Sequence, residues 1–210
     1  RFAKDEEWQT WWKEKQATFE FPPKDKPRVA AAAAPAGPSY YGLPLYGSRI
    51  VFVLDTSGSM RGLRIEAAKR ELVRAISELP DGLRFNVVVF NSRTGAWQRD
   101  LVPASRESKE AAMVYVLAQD LGPGTASYDA LEAALAFDTE SIYFLTDGAP
   151  FGGKIVQPAE IVKVIGATNR VRRVTINAIG IGVGPAGNVF DSFLRTLSLQ
   201  NFGAYRRVDE

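Results

Sequence analysis

Arg49-Ile50-Val51-Phe52-Val53-Leu54-Asp55-Thr56-Ser57-Gly58-Ser59-Met60 decides the fold. Five apolar residues, Ile50 to Leu54, end in an aspartate. An unbroken apolar run of this length reads as a strand buried on both faces, the mark of a parallel sheet. Asp55 then falls at the strand's carboxyl end, where open α/β sheets place their ligand sites. The residues that follow are small and polar, and Gly58 permits a tight turn. Such a turn brings the Asp55 carboxylate and the Ser57 and Ser59 hydroxyls toward one point. Three hard oxygen groups converging there suit Mg²⁺, Mn²⁺ or Ca²⁺.

Working outward, strand and helix patterns alternate over residues 49–208, as in a doubly wound sheet. A helix is predicted over 63–79, with Ile65, Ala68, Leu72, Ala75, Ile76 and Leu79 as its inner stripe. Arg84 to Asn91 is the second strand, and 96–100 a short edge strand. Ser105 starts a helix to about Gln119, and 127–137 forms another. Ser141 to Thr146 is a central strand ending in Asp147-Gly148. Pro158 opens a helix to about Thr168. Residues 173–179 form a strand, 189–199 the last helix and 204–207 the last strand. The fold class is therefore α/β: a mostly parallel central sheet flanked by helices, with one short antiparallel edge strand.

Asp55-Thr56-Ser57-Gly58-Ser59 resembles the Asp-x-Ser-x-Ser motif of von Willebrand factor type A domains. In that family the motif is the core of a metal-ion-dependent adhesion site. A threonine in a loop before a helix and an aspartate at the end of a later strand complete it. Thr125, in Gly124-Thr125-Ala126-Ser127, and Asp147, in Leu145-Thr146-Asp147-Gly148, match those two positions. The resemblance covers Arg49 to Arg207 and implies a Rossmann-like fold of the bacterial multidomain type. It also implies a metal site of Asp55, Ser57, Ser59, Thr125 and Asp147. The bound cation would accept an Asp or Glu from a partner protein. Thr56, Met60, Arg61 and Phe151 are expected at the partner-binding rim. Taken singly, Thr125 reads as well as a helix cap, Asp147 as a turn residue and Phe151 as a packed loop aromatic. Asp129 either shapes the site or occupies an ordinary helical position. The alternative function is a structural scaffold domain with an unoccupied metal site, with a metal-dependent hydrolase a further step behind.

Composition narrows the chemistry. The chain has 210 residues, no Cys and no His, so disulfides, thiolate chemistry and a Ser-His-Asp triad are excluded. A haloacid-dehalogenase-type phosphatase needs a second carboxylate two positions after the first, and Ser57 stands there. No phosphate-binding glycine motif occurs, so the reading is not an enzyme and has no small-molecule substrate. A net charge of +2 gives no case for nucleic acid. No apolar run is long enough to cross a bilayer. The expectation is a soluble domain, a fragment of a larger bacterial protein, with its compartment open.

Two further segments are expected before the domain. Residues 1–21 carry Trp8, Trp11 and Trp12 at helical spacing, either packed on a domain or serving as a docking peptide. Residues 22–48, rich in Pro and Ala, read as a linker. Tyr40 to Tyr46 within it are apolar enough to lie against the domain surface or to form part of an interface.

Overall fold

The computed structural model describes residues 37–209. The Trp-rich segment and the linker up to residue 36 lie outside the described residues. The chain opens with a two-stranded antiparallel hairpin, β1 (Ser39–Tyr40) and β2 (Leu43–Pro44). β3 (Arg49–Asp55), α1 (Leu63–Ser77) and β4 (Arg84–Phe90) follow. Then come β5 (Thr94–Ala96), β6 (Val102–Pro103), α2 (Arg106–Leu117) and α3 (Ser127–Ala136). The chain continues with β7 (Ser141–Thr146), α4 (Pro158–Thr168), β8 (Thr175–Ile181), α5 (Val189–Gln200) and β9 (Tyr205–Val208).

The main sheet runs β5-β4-β3-β7-β8-β9, with β6 also on β4. β4, β3, β7, β8 and β9 are parallel; β5 and β6 are antiparallel. The edge therefore holds two short antiparallel strands where the sequence suggested one. The first sits earlier than the expected 96–100. Its position follows from the turn before it, where Asn91 N–H donates to Arg93 O and Arg93 N–H to Asn91 Oδ1, returning the chain at Thr94.

Strand alternation splits the core into two layers. Ile50, Phe52 and Leu54 face α1, α2 and the hairpin, while Val51 and Val53 pack with residues of α3, α4 and α5. Successive β3 neighbours lie on opposite sides: β4 on one, β7 on the other. The crevice between the carboxyl ends of β3 and β7 is thus the topological switch point. Asp55 ends β3, and Asp147 follows β7 directly.

The hairpin is held by the domain at several points. Tyr40 is 1% exposed, with its ring edge-on to Phe52. The Tyr143 hydroxyl donates to Pro44 O (2.6 Å) and accepts from Tyr46 N–H (3.0 Å). Tyr41 N–H donates to Glu71, which also takes the Arg74 guanidinium. Tyr40 to Tyr46 were legible as apolar, but the Glu71 and Tyr143 partners that fasten them lie 30 to 99 residues away.

Tyr143→Phe removes both hydroxyl bonds while preserving the ring. It should lower unfolding stability by about 1–2 kcal/mol. Urea denaturation is the measurement, and an unchanged midpoint would show that the hydroxyl does not fasten the hairpin.

Candidate functional site

The head of β3 is built by main-chain geometry first. Thr56 N–H donates to Phe90 O at the end of β4, and Gly122 N–H donates to Thr56 O. Gly58–Met60 then form one 3-10 turn, with Met60 N–H on Ser57 O. That turn swings Ser59 outward and Met60 into the core, where it is fully buried. Thr56 is 2% exposed and its hydroxyl donates to Phe90 O (3.0 Å). Neither Met60 nor Thr56 offers a side chain at the surface, which corrects their placement at the rim. Arg61 and Phe151 are exposed, Phe151 by 74%.

The five residues expected as ligands do gather around the switch point. Asp55 is fully buried. Its Oδ1 accepts Ser57 N–H (2.7 Å) and its Oδ2 accepts the Thr146 hydroxyl (2.5 Å). The Ser57 and Ser59 hydroxyls are 3.0 Å apart, and Ser59 donates to Asp147 Oδ1 (2.8 Å). Thr125 is fixed through its main chain: its N–H donates to Phe151 O and its carbonyl accepts Phe151 N–H. This two-way bridge needs Gly124, whose φ is +73° and whose missing Cβ would lie 3.2 Å from Phe151 O. A cleft of about 420 Å³ opens over Ser57, Ser59, Arg64, Thr125, Asp147 and Phe151.

Asp129 bonds a loop, the first of its two expected readings, rather than standing as an ordinary helical position. Its Oδ2 accepts Lys154 N–H (2.9 Å), fastening the 148–157 loop to α3. Gly153 makes room for it, since a Cβ there would come within 2.1 Å of that oxygen.

Arg64 is the functional residue that the sequence reading passed over. It lies in the first turn of α1, and its Nη1 reaches Asp147 Oδ2 at 3.1 Å and Ser59 O at 3.4 Å. The Asp147 side chain is 1% exposed, so this is a carboxylate largely out of water meeting its counter-charge. The signal available was slight: one arginine just past the Gly58-to-Gly62 turn.

The Asp55, Ser57, Ser59 and Asp147 oxygens expected to bind a cation are therefore bonded within the protein. Both oxygens of Asp55 and both of Asp147 have donors, and the guanidinium supplies the positive charge beside Asp147. Among the described residues, no group of three or more His, Cys, Asp or Glu side chains could hold a metal ion. This overturns the expected Mg²⁺, Mn²⁺ or Ca²⁺ cofactor, the complete metal-ion-dependent adhesion site and the cation-bridged mode of binding. The two carboxylates bond Ser57 N–H, the Ser59 and Thr146 hydroxyls and Arg64 instead, and the Ser57 hydroxyl bonds that of Ser59.

With the geometry established, comparison places the chain. The model for the von Willebrand factor type A domain matches residues 48–206, and the chain belongs to that family. It is 30% identical over 187 residues to human inter-alpha-trypsin inhibitor heavy chain H4, covering 80% of this chain and 19% of that protein. A von Willebrand factor type A structure from Catenulispora acidiphila superposes with TM-score 0.67 at 23% identity, over 80% of this chain and 40% of that one. The pilus adhesin SpaC of Lactobacillus rhamnosus GG gives 0.62 at 16% identity, over 79% and 28%. These two structures share the fold. The chain spans about a fifth of the length of the curated relatives it matches. Among the described residues, no helix is long and apolar enough to cross a membrane.

Burial pushes the Asp55 carboxyl up from 3.8 to about 6; hydrogen bonds from Thr146 and Ser57 oppose the rise, and the Asp147 charge adds to it. The folded carboxyl thus holds its proton more tightly than the unfolded one. That favours the fold at low pH, and the contribution is lost as pH rises from about 4 through 6. Asp55→Asn should therefore gain stability relative to wild type above pH 7, by roughly 2–3 kcal/mol at most. The gain should shrink toward pH 4. Denaturation across pH in chelator-treated buffer tests this, and a variant that loses ground as pH rises would contradict it.

Proposed function

We propose that the domain is a scaffold-type protein-interaction module that binds its partner by direct side-chain contact, without a bridging cation. The Arg64–Asp147 ion pair carries this reading. It places a fixed positive group beside the strand-end carboxylate, so no metal is needed to balance that charge. Asp55, Ser57, Ser59, Thr125 and Asp147 act as a hydrogen-bonded floor. Arg61 and Phe151 form the rim that a partner would touch. Phe151 suits that role because its main chain is pinned by Thr125 while its ring stands in solvent. An anchored aromatic loses little conformational freedom on binding, which is why such residues dominate interface energetics.

The lengths of the curated relatives support a domain working inside a larger protein. The protein segment beginning near Ser39 is proposed as the folding unit, with the Trp-rich residues 1–21 and the linker after them as separate segments.

The test is cross-linked capture with the domain as bait, in Mg²⁺ and in EDTA, using wild type, Phe151→Ser and Arg61→Glu. The same partner should be retained in both buffers by wild type, and retention should fall at least tenfold in Phe151→Ser, as for a central aromatic anchor worth about 1.4 kcal/mol or more. Capture that depends on Mg²⁺, or that ignores both substitutions, would overturn the proposal.

A further inference from the structure

The geometry points to a phosphate-binding cleft at the amino-terminal edge of the sheet, opposite the strand-end face. Arg49 begins β3 and Arg84 begins β4, and the parallel register pairs them directly. Neighbouring strands lie about 4.8 Å apart, so two guanidinium-bearing side chains leave the sheet side by side. Arg99, from the segment between β5 and β6, joins them. Together with Asp100, Phe137 and Asp138 they line a cleft of about 620 Å³.

The arginines are prepared to different degrees. Arg84 Nη2 donates to Leu101 O (2.7 Å), which steadies its guanidinium without neutralising it. Arg49 Nη2 lies 3.2 Å from Glu140. Its Nε is buried with no hydrogen-bond partner; the nearest carboxylate oxygen, on Asp138, is 3.6 Å away. Arg99 is exposed and makes no hydrogen bond or ion pair among the described residues. The cleft thus holds an unsatisfied buried donor, a braced guanidinium and an uncommitted one.

Three arginines face two aspartates in this lining. Asp138 is the competitor on the Nε side of Arg49, while Glu140 holds the Nη2 side of the same guanidinium. The Asp138 side chain is 85% exposed and its contact with Arg49 exceeds hydrogen-bond length, so it is displaced cheaply. A phosphate group brings up to two charges and several acceptor oxygens, which match planar guanidinium forks better than one distant carboxylate does. Its source is either a soluble phosphorylated compound or the headgroup of an anionic lipid.

The experiment uses the whole chain at low ionic strength with two probes: pyrophosphate by calorimetry, and vesicles of phosphatidylcholine with phosphatidic acid by co-sedimentation. Arg99→Gln should weaken binding by roughly fivefold or more, the value of one charge-assisted contact. Asp138→Asn should tighten it severalfold, since it removes the competing carboxylate. Both positions are exposed, so neither change threatens the fold. Pyrophosphate binding with this variant pattern identifies a soluble phosphate ligand, and vesicle binding with the same pattern identifies a headgroup. Failure of both probes to bind, or equal binding by wild type and both variants, would overturn the assignment. Strand-end variants such as Phe151→Ser should leave phosphate binding unchanged, so the outcome is independent of the interaction face.

Discussion

A carboxylate with no access to water ends the central strand, and the top of the domain is arranged to tolerate it. Asp55 is satisfied by Ser57 N–H and the Thr146 hydroxyl, one from its own turn and one from the neighbouring strand. These bonds fix the turn that sends Met60 into the core and Ser59 out toward Asp147. They also join β3 to β7 across the switch point. Neither donor is charged, so burial still prevails and the carboxyl stays above its usual range.

A buried aspartate outside this site, Asp191, shows the contrast. Asp191, in the first turn of α5, is also pushed up by burial. Gly187 N–H, the Tyr205 hydroxyl, Arg195 and Arg207 together reverse that and hold its carboxyl below the usual range. Asp55 and Asp191 thus sit on opposite sides of their ordinary value, according to whether the hydrogen bonds and charges around each outweigh the effect of burial. At the strand-end site the cation reaches Asp147 rather than Asp55. Arg64 neutralises the outer carboxylate and the inner one is left to hydroxyl and amide donors.

Much of this was legible in the chain because the central strands are buried on both faces. Ile50–Leu54 and Ile142–Leu145 are uninterrupted apolar runs, and no amphipathic helix imitates them over that length. Helix starts were legible where a residue signals locally, as with Pro158 at the first turn of α4 or Ser105, whose hydroxyl accepts Ser108 N–H. Strand ends placed Asp55 and Asp147 on one edge of the sheet, and the family resemblance added Thr125, from the loop before α3, to the Asp55, Ser57, Ser59 and Asp147 set. What escaped depends on partners distant in sequence. Arg64 meets a residue 83 positions away, and Tyr143 fastens a hairpin 99 positions away. Met60 was expected at the rim from its place beside the motif, but the 3-10 turn that follows Ser57 sends its side chain into the core. The cation was inferred from residue types whose oxygens, once placed, bond to each other and to a guanidinium.

The most direct test is calorimetric titration of Mg²⁺ and then Mn²⁺ into the chelator-stripped domain, with Asp147→Asn in parallel. A strand-end site balanced by Arg64 predicts no saturable heat in wild type at millimolar ion and traces that match those of the variant. Saturable one-to-one binding by wild type that disappears in Asp147→Asn would contradict it. That result would mean a cation displaces the guanidinium from Asp147, and the interaction face would have to be rebuilt around the ion.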